Sequence, residues 1–289
     1  MKLIKSFFKY QQERFPLLFL GLVSLSGVVG TSAILDTHNW ITIISGTCVT
    51  ITFLFHVRVI DEIRDFSHDT EFHPDRPVQK KLISIKELKI LRIISLILFF
   101  ILSIVSSFKT FLFAILLFLY SSLAGRDFFC SKKIKKHFFL YNLLNMVQLI
   151  GLQLVVYTMF KWNYYFSPII IAHITIIFLL SALLEIVRKI KLEKSETLGK
   201  DTYSSHLGYR GSIILLATNF ILILLPLGYI FSLIGKTQGI NIPSLICFLG
   251  LYSSLMHFIK KTKLTENLIL LSSFIYYLTI NVVLYVLIK

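Results

Sequence analysis

Long apolar segments alternate with short polar segments along the whole chain. The apolar runs cover about 16–33, 41–60, 90–107, 110–124, 138–160, 168–187, 212–233, 243–259 and 268–288. A helix of about 20 apolar residues crosses a hydrocarbon core of roughly 30 Å. In lipid the backbone polar groups must be satisfied internally, and the short alternating segments of a barrel are absent. The pattern predicts an all-α, polytopic membrane bundle of about nine transmembrane helices, with residues 1–289 as a single domain.

Composition supports a chain that lies mainly in lipid. Hydrophobic residues make up 55% and charged residues only 16%, with a mean hydropathy of +0.77. A soluble domain carries about 25% charged residues. The three cysteines lie far apart and form no CxxC pair. The sequence therefore indicates neither a soluble domain, nor a disulfide framework, nor a cysteine zinc site.

The basic residues predict an orientation. If the N-terminus is cytoplasmic, every Lys and Arg lies on the cytoplasmic side except Lys109, Lys161, Lys236 and Lys289. This agrees with the excess of basic residues found in cytoplasmic loops. A missed or invented span would invert all later loops and destroy the asymmetry, which supports nine spans. Topology and anionic headgroups also account for the net charge of +15, so we expect no nucleic-acid partner.

The acidic residues are distributed just as unevenly. With nine spans, Asp36 is the one acidic residue placed on the outer side, and two cytoplasmic segments carry dense acidic clusters. Acidic side chains contribute little to membrane orientation. Their placement therefore indicates a function at the cytoplasmic face.

The first cluster follows the second apolar run. Asp61, Asp65 and Asp69 are spaced i, i+4 and i+8, which stacks three carboxylates on one face of a helix. Like charges at this spacing repel, whereas a bound hard cation such as Mg²⁺ offsets the repulsion. The alternative is a solvated helix end whose acids pair with nearby arginines, namely Arg58, Arg64 and Arg76.

This cluster and the dipeptide after it carry a family resemblance. Asp61, Asp65 and Asp69 are followed shortly by Arg76 and Pro77. The arrangement resembles the UbiA superfamily of intramembrane prenyltransferases, which has an NxxxDxxxD helix end followed by an Arg-Pro dipeptide. Asp65 and Asp69 match the two family aspartates, and Arg76 matches the loop arginine. Asp61 stands where the family has Asn.

The second cluster resembles the second acidic motif of the same family. It contains Glu185, Glu193 and Glu196, and a glycine precedes the seventh apolar run. It departs from the family pattern because Glu replaces Asp and Glu193 lies about one residue out of register. Arg188 and Lys189 also stand within the motif. A basic pair weakens cation binding, so we expect one of them to contact a diphosphate directly.

The resemblance implies a role for each candidate residue. It implies that one Mg²⁺ is held by Asp61, Asp65 and Asp69, and that Glu185, Glu193 and Glu196 hold a second Mg²⁺ or position the cations near it. It implies catalytic roles for Asp65, Asp69, Arg76 and Lys189, and substrate contacts for Arg58, Arg76, Arg126, Lys132, Arg188, Lys189 and Tyr203. His68 and His73 lie beside the first cluster as outer groups or simply as exposed loop residues.

The resemblance also implies the reaction. A central cavity opening at the cytoplasmic face would bind a prenyl diphosphate and Mg²⁺, ionise the C–O bond and transfer the prenyl group to an aromatic or lipid acceptor. The expected location is a bacterial inner membrane, in contact with its lipids. Cyclisation of the prenyl chain, as in a UbiA-type terpene cyclase, is the main alternative. Divalent cation transport is a less favoured alternative, because transport usually requires ionisable groups near the middle of the bilayer and the spans hold few of them. Phosphotransfer from CDP-alcohols lacks the sequence elements expected upstream of the aspartates.

Overall fold

The computed structural model describes residues 2–134, 136–160, 162–163, 165–192, 196 and 201–288, and the side chains of these except 2–5, 131 and 132. Within them the chain forms α-helices and two 3-10 turns, and no strand. The helices are α1 (Lys2–Arg14), α2 (Leu17–Ile34), α3 (Trp40–Arg64), α4 (Phe66–Phe72), α5 (Ile85–Ser106), α6 (Phe108–Ala124), α7 (Ser131–Ile134), α8 (Phe138–Met159), α9 (Pro168–Arg188), α10 (Tyr203–Leu233), α11 (Asn241–Lys260) and α12 (Lys263–Ile288).

Each predicted apolar run coincides with one long helix. By length and composition, 8 of the described helices are able to cross a membrane: α2, α3, α5 and α8–α12. The remaining apolar helix, α6, has 17 residues and is about 25 Å long at 1.5 Å per residue. The all-α membrane fold is therefore confirmed. The count of nine crossing helices stays a prediction.

Short polar residues set the helix boundaries. The Asn39 side chain accepts hydrogen bonds from the first turn of α3. Ser84 and Glu87 form a reciprocal capping box at the start of α5. Ser107 ends α5 and its side chain caps α6, which produces the tight turn expected there. These caps satisfy N–H groups that have no partner within the helix.

The chain divides into two compact units, each described by itself. Unit 1 consists of Met1–Leu25 and Asn39–Lys161. Its core packs α3 against α5 and α8, and α6 against α5 and α8. Buried side chains of these four helices form one apolar cluster, which includes Phe53, Phe99, Leu117 and Val155.

Unit 2 consists of Ser26–His38 and Trp162–Lys289. It pairs α9 with α10 and α11 with α12, and α10 also packs on α11. Gly250 of α11 lies directly against the Phe220 ring of α10, where a side chain would collide with that ring. The expectation of a single domain stays a prediction.

Candidate functional site

The first acidic cluster lies at the boundary between α3 and α4 in unit 1. Asp65, with φ −97° and ψ 10°, ends α3 and precedes α4, so the acids do not share one continuous helix. The helical hydrogen bonding nevertheless continues. The Asp65 N–H donates to Asp61 O over 2.9 Å, and the Asp69 N–H donates to Asp65 O over 2.8 Å. The predicted spacing is kept although the helix is divided.

Arg64 lies between the first two carboxylates. Its Nη2 is 2.7 Å from Asp61 Oδ1 and 3.0 Å from Asp65 Oδ2. The guanidinium lies 5.4 Å from the centroid of the Tyr141 ring and donates to Asn145 Oδ1 over 3.4 Å. The repulsion between carboxylates is thus offset within the protein by one arginine, as the alternative interpretation expected.

A third carboxylate near Arg64 comes from the segment after α6. Asp127 is buried, and its Oδ1 lies 3.8 Å from Arg64 Nε. Asp127, Phe128 and Phe129 have φ values of 49°, 52° and 56°. Three consecutive left-handed residues other than glycine are costly and mark a backbone held in place by its surroundings. Spacing gave no signal for Asp127, because this contact depends on the backbone conformation.

Two other residues of this segment, Arg126 and Lys132, were expected to contact phosphate. The Arg126 guanidinium lies 5.7 Å from the centroid of the Phe129 ring. The side chain of Lys132 lies outside the described residues. Neither assignment to phosphate binding is tested by these positions.

Asp69 is held by two arginines. It is buried, and its Oδ2 contacts Arg76 Nη1 and lies 3.8 Å from Arg14 Nη2. Its other oxygen, Oδ1, lies 3.5 Å from His68 Nδ1. Arg76 therefore contacts Asp69, the aspartate that precedes it in the sequence pattern described above. Arg14 contacts the same aspartate from α1.

Glu62 forms a buried charge cluster beside Asp69. Its Oε1 lies 2.8 Å from Arg14 Nε and also contacts Arg58 Nη2, and the Tyr10 hydroxyl donates to it over 3.5 Å. Burial raises the pKa of Tyr10 to about 12, with Arg58 acting in the opposite direction. Burial, together with the positive charge of Arg58, lowers the pKa of Arg14, while Glu62 raises it. Arg58, expected to contact substrate, is directed to Glu62.

The second acidic cluster lies at the end of α9 in unit 2. Glu185 Oε2 is 2.7 Å from Arg188 Nη2, and Glu185 Oε1 is 2.8 Å from Lys189 Nζ. The basic pair interposed in the motif therefore neutralises its first acid. Tyr203 is buried at the start of α10, and its N–H donates to Lys189 O over 3.0 Å.

Glu196 lies between α9 and α10. Both oxygens of Glu196 accept from the Thr202 hydroxyl over 2.8 Å, and Thr202 in turn caps α10. Glu193 lies outside the described residues. The proposed joint role of these acids with Glu185 stays a prediction.

Metal-ligating side chains converge at one group within the described part of the chain. One ligand atom from each of His68, Asp69 and His73 lies within 4.8 Å of the other two. Asp61 and Asp65 do not join this group. The sequence interpretation had placed the two histidines outside the metal site or in solvent.

A cleft in unit 1 lies apart from these acids. It has a volume of about 410 Å³ and is lined by Val78 and residues 81–85 together with Ser6, Phe66 and Glu87. None of the aspartates lines it. The predicted central cavity at the cytoplasmic face stays a prediction.

Solved structures of similar fold identify the architecture. No profile of a known protein family and no curated protein matches the sequence. A ligand-free UbiA homolog from Aeropyrum pernix K1 matches with a TM-score of 0.67 and 14% identity, over 91% of this chain and 97% of that one. A UbiA homolog from Archaeoglobus fulgidus, bound to GPP and Mg²⁺, matches with a TM-score of 0.57 and 14% identity, over 96% and 99%. The chain has the UbiA fold.

A third solved structure with the UbiA fold carries a named activity. A digeranylgeranylglyceryl phosphate synthase matches with a TM-score of 0.61 and 17% identity, over 99% of this chain and 98% of that one. The resemblance first suggested by the Asp65, Asp69 and Arg76 pattern is thereby supported at the level of fold across nearly the whole chain. Identities this low establish the fold and not the equivalence of individual residues.

The residues at the end of α3 have the donor chemistry that Mg²⁺ requires. Side chains of Asp61 and Asp65 are 34% and 32% exposed, so their oxygens are reachable from solvent. Mg²⁺ in proteins commonly takes one or two carboxylates and completes its shell with water and substrate phosphates. The partial exposure of this pair suits an ion that also binds water and substrate phosphate. Such an ion would bind carboxylates that Arg64 also contacts.

Proposed function

We propose that the chain is a Mg²⁺-dependent intramembrane prenyltransferase that ionises a prenyl diphosphate and transfers the prenyl group to an aromatic or lipid acceptor. The observation that carries this proposal is the UbiA fold, found with a partly exposed aspartate pair at the end of α3 and with Arg76 shortly after α4. One protein of this fold binds GPP and Mg²⁺. The proposal includes a cytoplasmic N-terminus and active face.

The first cluster would bind the leaving group. Asp61 and Asp65 would hold Mg²⁺, and the ion would supply positive charge that stabilises the diphosphate leaving group. Arg76 has guanidinium donors beyond the one that contacts Asp69, and these suit phosphate oxygens. Arg126 and Lys132 would add donors from the segment after α6. Asp69 would orient Arg76 from a buried position.

In unit 2, cationic side chains would contribute to phosphate binding. Glu185 fixes Arg188 and Lys189 through short ion pairs. A guanidinium carries five donors and an ammonium three, and such donors suit phosphate oxygens. Tyr203 begins α10, and its backbone N–H donates to the carbonyl oxygen of Lys189. This arrangement suits contact with an anion better than tight binding of a second cation.

Turnover of the purified protein tests the proposal. With GPP and Mg²⁺, the wild-type protein should release diphosphate, and Asp65→Asn should lower the rate at least a hundredfold, because one carboxylate ligand loses its charge. Glu71→Gln, an exposed acid of the same segment, should behave as wild type. Absence of diphosphate release with GPP and longer prenyl diphosphates, with or without acceptor lipids and aromatic acceptors, would contradict the proposal.

The products separate the alternatives. A prenylated acceptor indicates transfer, whereas hydrocarbons formed without any acceptor indicate a terpene cyclase. Metal flux into liposomes that is lost in Asp65→Asn, with no diphosphate release, would indicate a divalent cation transporter.

A further inference from the structure

A group of nitrogen and oxygen ligands lies next to the aspartate pair. His68, Asp69 and His73 belong to α4 and its end, and one ligand atom of each lies within 4.8 Å of the other two. The His73 N–H donates to Asp69 O over 2.9 Å, which sets these two residues one helical turn apart. The three side chains therefore project from a single short element.

The orientation of Asp69 suits a metal ligand. Its Oδ2 is engaged by Arg76 and Arg14, whereas Oδ1 lies toward His68 Nδ1 at 3.5 Å. Carboxylates that bind metals are commonly fixed by such outer contacts on the remaining oxygen. The His68 ring also packs against the Phe72 ring at 4.8 Å between centroids, which restricts its rotation.

The donor set distinguishes between classes of metal. Mg²⁺ takes oxygen ligands, whereas imidazole suits first-row transition metals such as Zn²⁺ and Co²⁺. Metal–nitrogen distances of about 2.0–2.1 Å require donor atoms somewhat closer together than those observed here, so modest side-chain rotation would complete the site. The histidines are 36% exposed at position 68 and partly exposed at 73, which leaves a path for an ion and for water.

We propose that His68, Asp69 and His73 bind a divalent transition metal ion, separate from the Mg²⁺ held by Asp61 and Asp65. This assignment deepens the proposed function and rests on it for the role of the ion, which is to add positive charge beside Arg76, where the diphosphate binds. It also supplies the second cation that Glu185 does not favour, because Glu185 is neutralised by Arg188 and Lys189.

Co²⁺ binding tests the site without requiring turnover. The full-length protein in detergent, stripped of metal and kept in excess Mg²⁺, is titrated with Co²⁺ and followed by its visible d–d absorption. One equivalent of Co²⁺ should bind. His68→Ala and His73→Ala should each weaken binding at least tenfold, whereas His137→Ala, an exposed histidine outside the group, should bind as wild type.

Further measurements separate failure of the site from failure of the proposed function. The conservative variant His68→Asn should also bind Co²⁺ more weakly. An elution profile in size-exclusion chromatography that matches the wild type would exclude misfolding as the cause of the lost binding. Equal Co²⁺ affinity in wild type and both alanine variants, or complete displacement of Co²⁺ by Mg²⁺, would overturn the metal site. Diphosphate release from GPP in the same preparations would then still support the prenyltransferase. Co²⁺ binding that depends on both histidines, without any release of diphosphate, would leave the site standing and reject the reaction.

Discussion

Arginines, rather than water alone, balance the acids at the end of α3. Arg64 contacts Asp61 and Asp65 and lies 3.8 Å from Asp127, while Arg14 and Arg58 share Glu62. Burying a charge without a partner is costly, so this pairing is what permits so many ionised groups to lie close together. The pairing interpretation and the metal interpretation of the sequence are therefore compatible. They differ in whether Mg²⁺ joins Arg64 among the same carboxylates.

Replacing Arg64 should make the protein depend more strongly on metal. Arg64→Gln leaves Asp61, Asp65 and Asp127 without their shared cation, so the unfolding temperature should fall in the absence of divalent ions. Added Mg²⁺ should then raise that temperature more in the variant than in the wild type, because the ion takes over the compensation. Thermal unfolding with and without Mg²⁺ measures both effects.

The matched control for Arg64→Gln is Lys80→Gln. Lys80 forms an ion pair with Asp75 at 3.0 Å, but both side chains are largely exposed. Exposed pairs contribute about 0–1 kcal/mol, so this variant should respond to Mg²⁺ as the wild type does. An unchanged Mg²⁺ effect in Arg64→Gln would contradict the compensation of these carboxylates by a bound ion.

Lys189 offers a kinetic prediction in unit 2. If its ammonium contacts diphosphate, Lys189→Ala should raise the KM for prenyl diphosphate far more than the concentration of Mg²⁺ needed for half-maximal rate. The reason is that Lys189 is a cation and repels the metal rather than binding it. Initial rates with each component varied in turn give the two values. A larger change in the Mg²⁺ requirement would assign Lys189 to support of a metal site instead.

At the scale of helices, the sequence predicted the long elements and missed their local breaks. The run predicted at 168–187 forms α9, Pro168–Arg188, because an apolar span must be helical in lipid. The division of α3 from α4 at Asp65 was not visible, because the end of α3 and the whole of α4 are polar and carry helical spacing. The helix α1 was not predicted either. The Arg14 side chain of α1 binds Glu62, which lies 48 residues away, and a contact this distant in the chain leaves no local sequence pattern.

Gly208 shows where a single residue decides the shape of a helix. Within α10 it has φ 69° and ψ 165°, a region that is almost exclusive to glycine. A Cβ there would meet no atom within 4 Å. The cost of substitution therefore comes from the backbone alone. The sequence had indicated a glycine between the second acidic cluster and the seventh span, but not that it lies inside a helix.

Gly208→Ala should destabilise the protein by about 1–3 kcal/mol, the usual cost of such a backbone conformation in other residues. Gly21→Ala is the matched control, because Gly21 also has no neighbour within 4 Å of its Cβ position but lies in regular α2 without a positive φ. It should be neutral or stabilising by up to about 1 kcal/mol. Unfolding temperatures of the two variants provide the comparison. Equal shifts would contradict the importance of the break.

At the scale of the whole molecule, the fold is retained at 14–17% identity to solved structures. The order and length of the apolar segments are what this sequence reveals most directly, and they predicted the helices of that fold. The site is less predictable, because the position of Asp127 depends on three left-handed residues and that of Arg64 on side-chain contacts across α3 and α8.

The number of crossing helices is open to a direct test at α6. With nine spans, residues before and after α6 lie on opposite sides of the membrane, and the segment containing Cys130 is cytoplasmic. Cys130 is exposed, whereas Cys48 is partly buried and Cys247 is buried. In a Cys48→Ser, Cys247→Ser background, Cys130 should react with a membrane-impermeant maleimide only after cells are opened. Lys109→Cys, with Cys130→Ser added, should react in intact cells.

Gln238→Cys in the same cysteine-free background checks the sidedness of the reagent. Gln238 is exposed, and α8, α9 and α10 lie between it and Cys130, so its side must be opposite to that of Cys130 whether or not α6 crosses. The outcome for Lys109→Cys alone therefore reports on α6. Labelling of Lys109→Cys from the same side as Cys130 would mean that this helix of 17 residues does not cross. The chain would then have eight crossing helices, and the acids after α3 and those after α9 would face opposite sides, where no single diphosphate could contact both.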